Sequence, residues 1–491
     1  MRRGGLARHR RAHVRSPVPL HPPAIDANAI ARRRFKNTPP NGTSKTESNE
    51  LAEKPHLNLI VTGHVDHGKS TSMGHFLFDL GVIDQRTIEE YAKESTKTGA
   101  GDTFKYAWVL DSLKDERERG VTIDLAFQKF ETNKYFFTLI DAPGHRDFVK
   151  NMITGASEAD CAVIVISGKK GETEVGIGPG GQTREHAFLL RTLGVNQVVV
   201  LVNKMDDTLV NWTEARFNEV KGEMEKLLRT VGYDIKKVRI IPVSGWTGDN
   251  LVKKSEKMPW YKGPTLFETL DEFTEPPKPI DKPLRLPIQD VYSITGVGTV
   301  PVGRVETGVM KVNDTIIAMP SGLKGEVKSI ETHHTAMQQA TAGDNIGFNL
   351  RGIAKQDIKR GEVVGSPSNP PTVAKEFIAQ IIVVFHPTAI AAGYTPVLHA
   401  HTAQVAATIT EIISKIDPRT NQPTEEKPKS IKTGDSALVK IQPLRPLCIE
   451  TFKDFPELGR FALRDMGTTI AAGVVREITQ TWAAEKVPAK A

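Results

Sequence analysis

The stretch GHVDHGKS at residues 63–70 decides the fold of this chain. It fits the pattern G-x-x-x-x-G-K-[ST], follows an apolar run at 57–61 and precedes a helical segment that starts at Ser70. In that context the glycines let backbone N–H groups face phosphates at a helix N-terminus. Lys69 neutralises the β- and γ-phosphates, and the Ser70 hydroxyl binds Mg²⁺. The stretch therefore predicts a nucleoside triphosphate site, and the alternative is a chance glycine-rich turn.

Outward from this loop, short apolar runs alternate with amphipathic segments. The predicted strands are 57–61, 135–140, 161–166, 197–202 and 238–243. Helical spacing appears between them, for example at 183–193 and 212–231. Alternation over about 220 residues predicts an α/β domain with a mostly parallel sheet and helices on both faces.

Two further motifs follow strands of this predicted sheet. DAPG at 141–144 places Asp141 where it can reach the metal and Gly144 where its N–H can reach the γ-phosphate. NKMD at 203–206 follows the next strand but one, and Asp206 can accept two hydrogen bonds from guanine that adenine does not supply. The tripeptide at 244–246 can close over the base. Together the motifs predict a site for GTP and GDP with Mg²⁺.

Hydrolysis of GTP requires a positioned water molecule more than covalent chemistry. His145 directly follows the DAPG motif and is the candidate for orienting that water; its alternative role is to cap the following helix. The charged stretch at 116–123 suits a loop that becomes ordered when Thr122 reaches Mg²⁺, or else a solvated helix end.

The rest of the chain predicts two smaller all-β domains. A proline-rich run at 275–283 breaks any helix, and β-branched runs punctuated by glycine follow it. A second break at 366–371 separates a last β-rich segment. Strands spaced in this way predict two β-barrels after the α/β domain. The predicted boundaries are 54–275, 284–368 and 374–485.

The first 53 residues differ from the remainder in composition. Residues 1–46 carry eleven Lys and Arg and one acidic residue, so the net charge of +7 leaves −3 on the other 445 residues. The segment 1–53 lacks apolar periodicity, and we expect it to be disordered. An organelle transit peptide, an RNA-binding arm and translated upstream sequence of little function are all compatible with it. High overall charge is therefore no evidence for nucleic-acid binding by the body of the protein.

Composition excludes several other classes. Two cysteines, Cys161 and Cys448, cannot form a disulfide framework or a zinc site, and they favour a reducing, cytoplasmic setting. No run approaches the roughly 18 apolar residues of a membrane-spanning helix. We therefore expect no membrane association.

Several stretches of the chain resemble a known protein family. Six stretches carry the likeness: GHVDHGKS at 63–70, RERGVTI at 117–123, DAPGHRDFVKNMITG at 141–155, GQTREH at 181–186, VPVGRVETG at 300–308 and LGRFA at 458–462. They are similar to the archaeal and eukaryotic elongation factor 1-alpha family of translational GTPases. The resemblance extends from about residue 55 to residue 478 and leaves out the N-terminal segment.

The resemblance implies a function and a set of partners. Such factors are three-domain monomers that carry aminoacyl-tRNA to the ribosomal A site with GTP and release it after hydrolysis. An exchange factor of the elongation factor 1-beta type then resets them, and in archaea release and rescue factors can also be partners.

The resemblance also implies roles for individual residues. Those expected to bind the nucleotide are Gly63, His64, Val65, Asp66, His67, Gly68, Lys69, Ser70, Thr71, Asp141, Gly144, Asn203, Lys204, Asp206, Ser244, Gly245 and Trp246. Those expected around the metal are Ser70, Thr122 and Asp141. His145 is expected to position the hydrolytic water, gated by Val65 and Val121. The aminoacyl end of the tRNA is expected at Tyr292, His333 and Asn345.

Three alternatives share part of this pattern. The termination and ribosome-rescue branch binds release-factor-like proteins, and long N-terminal extensions occur there; residues 145–150 and the aminoacyl positions favour the elongation branch instead. The GTPase subunit of sulfate adenylyltransferase has related motifs but is disfavoured by the match through both β-rich domains. Filament binding would need basic patches, which the charge of −3 does not support.

Overall fold

The structure is a computed structural model, and it describes residues 54–97, 104–111, 116–117, 122, 124–178, 180–332, 335–417, 420 and 422–482. The predicted disordered segment 1–53 lies outside the described residues, as do Val121 and His333.

The first domain contains six strands and seven α-helices in the described residues. The strands are β1 (His56–Gly63), β2 (Ala126–Glu131), β3 (Phe136–Asp141), β4 (Cys161–Ser167), β5 (Gln197–Asn203) and β6 (Arg239–Pro242). The helices are α1 (Lys69–Asp79), α2 (Gln85–Lys97), α3 (Val149–Glu158), α4 (Glu172–Ile177), α5 (Gln182–Leu193), α6 (Glu214–Val231) and α7 (Leu266–Leu270). Short 3₁₀ turns lie at Ala107–Val109, Arg146–Phe148 and Ile235–Lys237.

The six strands form one sheet in the order β2-β3-β1-β4-β5-β6. Only β2 runs antiparallel to its neighbour; the other strand pairs are parallel. All seven residues of β4 are buried, as expected for a parallel strand covered on both faces. One apolar core lies between the sheet and α3, α5 and α6, and a second lies between the sheet and α1 and α7.

Helix α6 shows how the sequence determines a helix in this domain. Phe217, Val220, Met224 and Leu228 are buried at the spacing of one helical face, which packs on the sheet. The helix ends at Gly232, which adopts the left-handed conformation (φ 98°) that glycine tolerates best.

The second domain is a closed barrel. Its strands are β7 (Arg285–Ile294), β8 (Gly298–Arg304), β9 (Val309–Lys311), β10 (Thr315–Met319), β11 (Leu323–Thr332), β12 (Thr335–Met337), β13 (Gln339–Thr341), β14 (Asn345–Arg351) and β15 (Val363–Gly365). The order β10-β15-β7-β8-β14-β11 closes on itself because β10 also pairs with β11. Its core includes the fully buried Leu286, Val327 and Phe348.

The third domain closes in the same way. Its strands are β16 (Val373–Val383), β17 (Ile390–Ala391), β18 (Val397–Ala400), β19 (Ala403–Ile416), β20 (Pro423–Glu426), β21 (Ser430–Ile431), β22 (Ser436–Pro443), β23 (Leu447–Cys448), β24 (Arg460–Asp465) and β25 (Thr468–Thr481). The order β18-β24-β25-β16-β22-β19 closes through a β18–β19 pairing. The predicted fold class, an α/β domain followed by two barrels, is confirmed. None of the helices in the described residues combines the length and apolarity that a bilayer-spanning segment needs.

Polar side chains connect the three domains. Asn345 of the second domain donates from Nδ2 to Asn58 Oδ1 of the first (2.8 Å). Arg304, also in the second domain, pairs with Asp160. Between the second and third domains, Arg285 Nε lies 2.8 Å from Glu450 Oε1, and the arginine is only 1% exposed. The first contact joins two neutral amides, whereas the second and third are buried ion pairs.

The Arg285–Glu450 pair predicts a large stability effect. Arg285→Ala would leave the Glu450 carboxylate buried without its cation, so we expect the free energy of unfolding to fall by about 3–5 kcal/mol. Urea-induced unfolding followed by circular dichroism measures this change. The matched control is Arg239→Ala, which removes an exposed pair with Glu272 and should cost less than about 1 kcal/mol. Equal losses in the two variants would contradict the prediction.

Candidate functional site

The phosphate loop connects β1 to α1 and depends on two glycines. Gly63 has a φ of 146°, and a Cβ atom there would collide with the Val165 carbonyl oxygen of β4. Gly68 adopts the left-handed conformation (φ 82°), and a Cβ atom there would collide with the Asn203 amide. The loop therefore fits between β4 and the end of β5 only because both residues are glycine.

Lys69 lies at the centre of the loop. Its Nζ donates to the His64 carbonyl oxygen (3.0 Å), and the residue is buried. Burial lowers the pKa of this amine, while the carboxylates of Asp141, Asp66 and Asp111 act in the opposite direction. Gly144 lies directly against Nζ, so the DAPG turn adjoins the phosphate loop as predicted from the sequence.

Hydroxyl and carboxylate groups converge beside Lys69. Ser70 Oγ donates to Asp141 Oδ2 (2.6 Å) and lies 3.2 Å from Thr122 Oγ1. Thr122 Oγ1 also donates to Asp111 Oδ1 (3.3 Å). The structure thus brings together the three residues predicted around the metal and adds Asp111, which the sequence analysis missed. The only local signal for Asp111 is its place directly after the apolar run 107–110.

The electrostatics of this cluster favour a cation. Burial raises the pKa of Asp141 to about 6. Burial, reinforced by the charges of Asp141 and Glu116, raises the pKa of Asp111 to about 8. Within the described residues, Asp141 Oδ1 is buried without a hydrogen-bond partner. A bound cation would relieve the cost of two neighbouring buried carboxylates, so the residues present fit a divalent metal ion.

Asn203 connects the phosphate loop to the loop predicted to bind guanine. Its Nδ2 donates to the His67 carbonyl oxygen of the phosphate loop (2.9 Å), and its Oδ1 accepts from Gly245 N–H (2.7 Å). Both polar ends of this side chain therefore join two loops of the site. Its direct contact with the base remains a prediction.

The other residues predicted to bind guanine are Lys204, Asp206 and those of the loop at 244–246. Ser244 Oγ accepts from Thr247 N–H (3.1 Å), and Lys204 Nζ pairs with Glu172 (2.7 Å). In the part of the chain that the structure describes, the half-buried Asp206 carboxylate makes no hydrogen bond or ion pair. Asp206 thus keeps its acceptor atoms for a donor such as guanine N1–H and N2–H.

His145 has a local structural role in this structure. Its Nδ1 accepts a hydrogen bond from Asp147 N–H (3.2 Å) and so caps the 3₁₀ turn Arg146–Phe148. The ring is 39% exposed. This geometry agrees with the capping alternative. Among the described residues nothing hydrogen-bonds to Nε2 of the same ring, and the catalytic role remains a prediction.

Comparison with known proteins finds relatives of all three domains. The elongation factor Tu GTP binding domain family matches residues 54–276, elongation factor Tu domain 2 matches 298–365, and the GTP-eEF1A C-terminal domain-like family matches 376–476. Elongation factor 1-alpha of Cenarchaeum symbiosum (strain A) is 69% identical over 430 residues, covering 88% of this chain and 98% of that protein. Its counterpart in Staphylothermus marinus is 60% identical over 425 residues, covering 87% and 97%. The chain belongs to the elongation factor 1-alpha family.

Membership in this family defines the activity. The chain is a translational GTPase that hydrolyses GTP and acts in elongation and aminoacyl-tRNA delivery. Solved structures share its fold. The GTP-bound Ski7 GTPase-like domain of S. cerevisiae has a TM-score of 0.71 at 19% identity, covering 93% of this chain and 100% of that chain. Elongation factor SelB of Methanococcus maripaludis has a TM-score of 0.60 at 21% identity, covering 87% and 80%.

Two of the three positions expected at the aminoacyl end, Tyr292 and Asn345, lie apart in this elongation factor 1-alpha family member, and the third, His333, lies outside the described residues. Tyr292 pairs with Val300 on β8, and Asn345 pairs with Arg304 on the opposite side of the same strand. Four residue steps along β8 correspond to about 13 Å, in addition to the width of the intervening strand. Asn345 Nδ2 also bonds to Asn58, while within the described residues its Oδ1 is buried without a hydrogen-bond partner.

The unengaged carboxylate of Asp206 predicts base specificity. In Asp206→Asn the amide would present a donor where guanine N1–H needs an acceptor, so we expect GDP affinity to fall by about tenfold or more and xanthosine diphosphate affinity to rise. Competition binding with the two nucleotides measures both changes. The neighbouring carboxylate of Asp207 accepts from Leu209 N–H instead, so Asp207→Asn is the matched control. Retained preference for GDP in Asp206→Asn would refute the contact.

Proposed function

We propose that this factor binds aminoacyl-tRNA in its GTP-bound form, delivers it to the ribosomal A site and releases it after GTP hydrolysis. The observation that carries the proposal is the 69% identity over 98% of an elongation factor 1-alpha. We further propose that it acts as a monomer in the cytoplasm and is recharged by an exchange factor of the elongation factor 1-beta type. Its body has no net positive charge, so tRNA binding depends on local patches.

The proposed nucleotide chemistry starts from the phosphate loop. Lys69 and the N–H groups of residues 63–70 hold the phosphates, and the Gly144 N–H adds a contact for the γ-phosphate. Ser70, Thr122 and Asp141 would hold Mg²⁺, with Asp111 supporting Thr122 from behind. A bound Mg²⁺ supplies neutralisation of negative charge on the phosphate oxygens. The role of these residues is to hold and orient the phosphates and the metal ion, because phosphoryl transfer needs little covalent chemistry from the protein.

Water positioning is assigned to His145 in this proposal. The ring follows directly after Gly144, which adjoins Lys69, and its Nδ1 is already oriented by the Asp147 N–H. That contact orients the ring, and its Nε2 is the atom proposed to hold the water molecule. Val65 is half-buried in the phosphate loop and is proposed to limit access of the ring to the nucleotide.

The decisive test is protection of the aminoacyl ester. We expect the purified protein to slow spontaneous deacylation of aminoacyl-tRNA with GTP but not with GDP, measured by acid-precipitable radioactivity over time. Uncharged tRNA as competitor is the control for nonspecific binding. Normal GTP binding with no protection would overturn the proposal and favour a release or rescue partner.

The role of His145 has a separate test. We expect His145→Ala to bind GTP with normal affinity and to slow ribosome-stimulated hydrolysis by about 100-fold or more, as for other general acid–base groups. His145→Asn keeps a capping side chain but lacks the imidazole. Equally slow turnover in both variants supports water positioning. Wild-type turnover in the Asn variant would reduce His145 to a structural cap.

A further inference from the structure

A short segment between α2 and β2 contacts both ends of the nucleotide site. We name residues 104–111 the strap. At its first end the Tyr106 ring stacks on the His75 ring of α1, with centroids 4.0 Å apart and planes inclined by 6°. His75 Nδ1 in turn donates to the Gly245 carbonyl oxygen (2.9 Å) in the loop at 244–246, which we name the base loop. The edge of Tyr106 also meets the ring of Trp246, with centroids 6.2 Å apart.

The strap lies directly on the backbone of α1. A Cβ atom at Gly74 would overlap the Tyr106 carbonyl oxygen, so this close approach requires glycine in the helix. Because Gly74 has no side chain, the strap can approach α1 closely enough for Tyr106 to stack on His75.

The other end of the strap lies at the predicted metal site. Asp111 Oδ1 accepts from Thr122 Oγ1 (3.3 Å), and that hydroxyl lies 3.2 Å from Ser70 Oγ. Between the two ends, the 3₁₀ turn Ala107–Val109 buries Trp108, which is 1% exposed. A compact turn anchored by a buried tryptophan transmits displacement rather than absorbing it. The two ends of the strap are therefore joined by a closely packed turn.

We propose that the strap couples the metal end of the nucleotide site to the base end, with Tyr106 as a positioning residue that acts through His75 and Gly245. The inference rests on the proposed placement of guanine at Asp206 and of Mg²⁺ at Ser70 and Asp141. When Thr122 is held by Asp111, the strap presses Tyr106 onto His75, and the base loop keeps its hydrogen bond to Asn203. When Thr122 is displaced, the same contacts loosen and the nucleotide leaves faster.

A double-mutant cycle on the full-length protein tests this coupling. Release of a fluorescent GDP analogue is measured by stopped flow in wild type, Tyr106→Ala, Thr122→Ala and the double variant. We expect Tyr106→Ala alone to accelerate release by about fivefold, as for loss of a stacked aromatic pair. In the Thr122→Ala background the same change should add less than about twofold, because coupled residues are not additive. Multiplicative effects would overturn the inference.

Two more variants separate positioning from folding. Tyr106→Phe keeps the ring on His75 and should release GDP at the wild-type rate. Tyr106→Leu fills much of the volume without stacking and should release GDP as fast as Tyr106→Ala, even if the alanine variant folds poorly. Wild-type release from a folded Tyr106→Leu, checked by circular dichroism, would refute the role of the ring. If the proposed function were wrong, the protein would fail to protect aminoacyl-tRNA from deacylation. The double-mutant cycle on GDP release would still show coupling in that case.

Discussion

The side-chain amide of Asn203 holds the nucleotide site together. It is 3% exposed, and it bonds the phosphate loop with one end and the base loop with the other. A buried amide with both ends satisfied is rigid, and loss of either partner would leave a costly unpaired group. Asn203 reaches both loops because β5 ends at the same edge of the sheet as β1 and β3, where parallel strands place their carboxyl ends.

Helix α5 extends this arrangement beyond the first domain. On one side, His186 Nδ1 is 2.6 Å from Thr62 Oγ1 of β1, and Thr183 Oγ1 accepts from His64 N–H (3.2 Å). One residue before His186, the Glu185 carboxylate accepts hydrogen bonds from the N–H and Oγ of Thr469 in the third domain. The helix that braces the phosphate loop is therefore also the support on which the last barrel rests.

The sequence predicts some of these features well for a physical reason. Strands β4 and β5 coincide closely with the predicted runs 161–166 and 197–202, because a parallel strand buried on both faces is apolar throughout. Edge strand β2 was not predicted, since four of its six residues are only half-buried and form no continuous apolar run. The three nucleotide motifs are likewise predictable because each is contiguous and follows a strand.

Contacts between distant segments are harder to predict. Asp111 reaches the metal cluster through Thr122, eleven residues further along, in a region without regular spacing. Asn345 meets Asn58 across a domain boundary and 287 positions away in the chain. No local pattern specifies such a pair, because it depends on how two finished domains dock.

The nature of these domain contacts determines which of them can change. The Asn345–Asn58 bond joins two neutral amides, so water can replace each partner at a net cost of only about 0.5–1.5 kcal/mol. Arg285 and Glu450 are enclosed between the two barrels, and separating them would expose or strand two charges at a cost several times larger. The barrels are therefore held to each other more firmly than the first domain is held to the second at Asn345. The first domain is also joined to the barrels by the buried Arg304–Asp160 pair and by Glu185, which contacts Thr469 and Arg464. Among these contacts the Asn345–Asn58 bond is the least costly to exchange for water, because it involves no charge.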